Sequence, residues 1–77
     1  MHLMAAETFR IVVVHPDREA LVEIVKELPG ETVLAIRTPP AHLLMVDPND
    51  RDAVEQALDR AKNIDPEFDW WPAENEL

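Results

Sequence analysis

Residues 8–15, Thr-Phe-Arg-Ile-Val-Val-Val-His, are rich in β-branched side chains and predict a first strand. Alternation puts Phe9, Ile11, Val13 and His15 on one face and Arg10, Val12 and Val14 on the other. The strand is therefore apolar on both sides, as a central strand is. Pro16 ends it, having no amide hydrogen for the ladder. A helix follows over residues 18–28, with Leu21, Ile24, Val25 and Leu28 on one face and Asp17 as its N-cap. Pro29 and Gly30 stop it. Residues 31–38 predict a second strand and residues 43–46 a third, joined by the stiff Thr38-Pro39-Pro40-Ala41 connection. A second helix is expected over residues 51–63, where Val54, Ala57, Leu58 and Ala61 keep the helical period. Asn49 or Asp50 can cap it, and Arg51 and Glu55 can pair along it. After Asp65-Pro66, the run Phe68-Asp69-Trp70-Trp71 predicts a short closing strand, which its flanking prolines place at a sheet edge. The ordered core should span residues 8–72, with residues 73–77 frayed.

The order strand, helix, strand, strand, helix, strand is the split βαβ pattern. It predicts one α+β domain over residues 1–77: a ferredoxin-like sandwich with a four-stranded antiparallel sheet and two helices on one face. The stretch from Arg10 to Trp71 resembles small α/β-plait domains. Leu28-Pro29-Gly30, then a strand, then Leu43-Leu44-Met45-Val46, is similar to the ligand-sensing domains of Lrp/AsnC regulators. It is also similar to NapD-type chaperones that bind twin-arginine signal peptides. The closing Trp70-Trp71-Pro72 departs from both, and no binding residue carries over from either.

Size and charge narrow the function classes. A chain of 77 residues buries only roughly 60% of its unfolded surface, so one core gives marginal stability. Cysteine is absent, which removes disulfides and thiolate metal sites and leaves oligomerisation as the remedy. The net charge of -9 argues against direct nucleic-acid binding and against anionic membranes. Asp65, Glu67, Asp69, Glu74 and Glu76 concentrate -5 of it in residues 65–77, a solubilising tail or an imitation of a phosphate backbone. There is no apolar run long enough to span a membrane, and Met1 to Ala6 lack the basic flank of a secretory signal, so cytoplasmic residence is expected. Seven prolines with one glycine lean towards a thermophile.

Candidate chemistry is sparse. His15 at a strand end and Asp17 at a helix start form a weak polar site, with His15 as a base oriented by Asp17. Serine, cysteine and tyrosine are all missing, so covalent catalysis would fall to threonine. Asp47, Asn49, Asp50 and Asp52 lack the spacing of a calcium loop and suit a helix start, so no metal is expected there. His2, His15 and His42 are too scattered to imply a metal site. No cofactor is expected.

The strongest functional argument is the sheet face that two helices leave bare. Val12, Val14, Leu43, Met45 and Trp71 are the candidate partner-binding residues on it. The expectation is a non-catalytic binding or regulatory domain that self-associates through its sheet as a homodimer or larger oligomer. The alternatives are a peptide-binding maturation chaperone, an acidic inhibitor or nucleic-acid mimic, and, third, an enzyme built on His15 and Asp17.

Overall fold

Strand β1 (Phe9–Val14) lies between β3 (Ala41–Val46) and β4 (Asp69–Pro72), and β2 (Thr32–Thr38) extends the sheet beyond β3. Helix α1 (Arg18–Lys26) links β1 to β2, and α2 (Arg51–Ile64) links β3 to β4. The computed structural model describes residues 8–38 and 40–73. Every strand pairing is antiparallel, in the order β2-β3-β1-β4. This is the α+β sheet-and-two-helix arrangement that the pattern predicts, compatible with a ferredoxin-like βαββαβ fold.

The core sits between the sheet and the helices. Ile11 and Val13 of β1 and Leu44 and Val46 of β3 meet Leu21 of α1 and Val54 and Leu58 of α2, all fully buried. Each helix buries one stripe because its apolar residues recur three and four apart. Asp17 caps α1 as expected, its carboxylate accepting the Glu19 N–H at 3.0 Å.

Several boundaries differ from the sequence expectation, each for a local reason. Helix α1 stops at Lys26 and not at Leu28. The Glu27 and Leu28 amides turn to Ile24 O and Val25 O, both 3.1 Å, because Pro29 disfavours helical backbone before it. Strand β3 starts at Ala41, two residues early, because Ala41 and His42 find ladder partners in Val14 and Val13. A 3-10 turn, Pro48–Asp50, precedes α2, and Asp47 caps it by accepting the Asn49 N–H at 2.9 Å. Asp50 holds the N-cap position of α2 as expected, but without a side-chain cap bond. Strand β4 runs one residue later than predicted, and Phe68 drops into the core, fully buried. Pro72 is tolerated because β4 is an edge. Ala73 is not frayed: it is 5% exposed and its N–H donates to Arg10 O at 2.9 Å. The expected fraying of residues 74–77 lies outside the described residues, as does Met1 to Ala6.

Gly30 fixes how the end of α1 meets the start of α2. Its φ is +74°, and a Cβ there would collide with the Asp50 carboxylate. Gly30→Ala should therefore lower stability by about 1–2 kcal/mol, read from the urea midpoint. Asp50→Ala in that background should restore only the part due to collision, leaving the left-handed backbone cost.

Candidate functional site: the helix-free sheet face and the His15–Asp65 pair

Strand register builds an apolar row across the whole sheet. Ala35 pairs with Leu43, Leu43 with Val12, and Val12 with Trp71, and all four belong to the face away from the helices. Beside this row lie Val33, Met45 and Arg10, again direct neighbours across β2, β3 and β1. Val33 is 58% exposed and Trp71 47%, while Val14, Leu43 and Met45 are half-buried. Alternation separates the two tryptophans: Trp70 packs on the core and Trp71 stands on the open face.

Val12 is a correction. It belongs to the open face but is only 2% exposed, flanked by Leu43 and Trp71 in its own chain. It offers little surface to a partner. Val33, absent from the sequence candidates, offers more. Its alternation with Thr32 and Leu34 was legible, but not that β2 would be an edge strand. Arg10 is half-buried on this face and has no ion-pair partner among the described residues.

The polar cluster lies where β1 gives way to α1. His15 is 4% exposed, and both ring nitrogens are engaged. The Asp17 N–H donates to Nδ1 at 2.9 Å, so Nδ1 is an acceptor and carries no proton. Nε2 therefore bears the hydrogen and donates it to Asp65 Oδ2 at 2.7 Å. The ring is neutral, and the contact is a hydrogen bond to a carboxylate. Asp17 does not orient His15 with its carboxylate, contrary to expectation: that group is turned to the Glu19 amide. The carboxylate partner is Asp65, fifty residues along the chain at the end of α2. Sequence spacing carries no sign of such a pair.

The His15 hydrogen bond, with a second from the Glu67 N–H at 3.0 Å, holds the Asp65 carboxyl below its usual range. Asp69 is held low by Lys62, whose Nζ donates at 3.1 Å, and by the Trp70 N–H at 2.8 Å. Two carboxylates of the acidic segment are thus fastened to their own chain, which weakens its likeness to a free phosphate backbone. Glu74 and Glu76 lie outside the described residues.

His15, Asp65 and Glu67 can bring one ligand atom each within 4.8 Å of one another. Their hydrogen bonding does not fit a cation. An imidazole bound through Nε2 carries its proton on Nδ1, and here Nδ1 faces the Asp17 N–H donor. The cluster is built to satisfy a buried histidine. His42, also buried, donates from Nδ1 to Pro40 O at 3.4 Å. Asp47 serves its turn, and Asp50 stands against Gly30.

No protein-family model, curated protein or solved structure matches this chain. No helix among the described residues is long and apolar enough to cross a membrane.

The Asp65 bonds carry a pH signature. A carboxyl lowered in the fold adds stability that is complete above its unfolded value, about pH 4, and lost as pH falls through the lowered folded value. Asp65→Asn should be less stable than the native chain at pH 7 and should lose less stability on acidification below about pH 4. Chemical denaturation across that range checks it; parallel curves for both proteins would contradict it.

Proposed function

We propose that this chain is a non-catalytic binding module that self-associates through the helix-free face of its sheet. One observation carries the reading: the apolar row Ala35, Leu43, Val12 and Trp71 crosses all four strands, with Val33 and Trp71 left exposed beside and within it. Fully burying a side chain of this kind is worth about 1.5–3 kcal/mol, and a small core without disulfides needs such gains. A second copy supplies the same flat apolar surface, and a two-fold axis lets the patch cover itself. The sheet face can close in this way while the acidic helix surfaces stay in water. The non-catalytic part is supported by His15, whose ring has no lone pair or proton free for a substrate.

Sedimentation at micromolar concentration should give at least twice the monomer mass of 8.8 kDa. Trp71→Lys and Val33→Glu alter exposed positions and should shift the mass towards monomer without unfolding the chain. Val12 is unsuited to this test, because a charge there would enter a buried site. A native chain that stays monomeric as concentration rises would overturn the reading.

A further inference from the structure

The opposite side of the molecule carries a second unfilled surface. Between α1 and α2 runs a groove of about 540 Å³, lined by no sheet residue among those described. Ala20, Ile24 and Leu28 form one wall at intervals of four, and Ala57, Ala61 and Ile64 form the other. Alanines along both walls keep the floor open to close approach. Ile64, at the end of α2, is 83% exposed, more than any other large apolar side chain described. The core does not use it.

The rim has a sign. Glu23 and Glu27 stand one turn apart on the α1 side, both exposed. Glu23 meets Lys26 at 3.7 Å with both side chains over half exposed, a pairing too solvated to neutralise it. Glu27 has no ion-pair partner among the described residues. Arg60 is the one cation lining the groove among the described residues. We propose that this groove docks a basic amphipathic helix of another protein, with its apolar stripe on Ile24, Leu28, Ala61 and Ile64 and its lysines or arginines against Glu23 and Glu27. A helix fits because both walls are ridges at helical spacing, into which a third helix can lay its own ridge. The charge fits because the chain carries -9 and draws cationic partners from a distance. A second copy would bring the same negative charge. The groove is separate from the sheet face, so docking there does not depend on self-association.

The test uses a synthetic 15-residue peptide with leucines at i, i+3, i+4 and i+7 and lysines on the flanks. Its control has the same composition scrambled to remove the stripe. Each is titrated into the full isotope-labelled chain, following amide shifts. The striped peptide should saturate with shifts at Ile24, Leu28, Ala61 and Ile64. Ile64→Ser, and separately Glu23→Lys with Glu27→Lys, should each weaken it about tenfold. Trp71→Lys should leave its affinity unchanged. Absence of binding, equal affinity for the scrambled peptide, shifts confined to the sheet face, or no loss on Ile64→Ser would each overturn the proposal. Ile64 is exposed enough for the serine variant to keep its fold, which the dispersion of the same spectra verifies.

Discussion

Successive side chains on a strand must point to opposite faces, and in the two central strands of this chain both choices are apolar. Ile11 and Val13 go under the helices, while Val12 and Val14 go to the other side; Leu44 and Val46 divide from Leu43 and Met45 in the same way. Two helices cover one face of the sheet and no more. The remaining architecture follows from this imbalance. The face under the helices closes into a core of fully buried residues, and the face away from them keeps an apolar row with a tryptophan at its end.

The chain meets part of the imbalance by itself. Val12, in the middle of the open face, is only 2% exposed. Exposure is greatest at the periphery, at Val33 on one edge strand and Trp71 on the other. His15 does related work on the covered side. It joins the end of β1 to the end of α2 through Asp65 and receives the first amide of the α1 cap through Nδ1. One neutral imidazole thereby ties three elements together. That engagement occupies both of its ring nitrogens.

Periodicity made the fold legible, since alternation in residues 8–15 and the helical stripes of Leu21 and Val54 each admit one arrangement around a core. Ends were less legible. Ala41 and His42 have weak strand preference and pair because β1 and β2 both offer them partners. Phe68 read as a strand residue because aromatic runs favour strands, yet its burial comes from the turn after Asp65, whose carbonyl accepts the Phe68 N–H at 3.0 Å. The candidate face was visible in outline, and four of its five residues keep a partly exposed place there. Val33 and the burial of Val12 depend on strand order, and the His15–Asp65 bond on tertiary closure. Neither leaves a trace in local sequence.

In the proposed assembly a second copy of this chain lies on the open face of the sheet. Isotope-filtered nuclear Overhauser measurements on a mixture of labelled and unlabelled chains test it most directly. Self-association through this face should give intermolecular contacts between the Trp71 indole and the side chains of Leu43, Met45 or Val33. Their absence at millimolar concentration, with the Trp71 indole N–H exchanging freely with water, would contradict it.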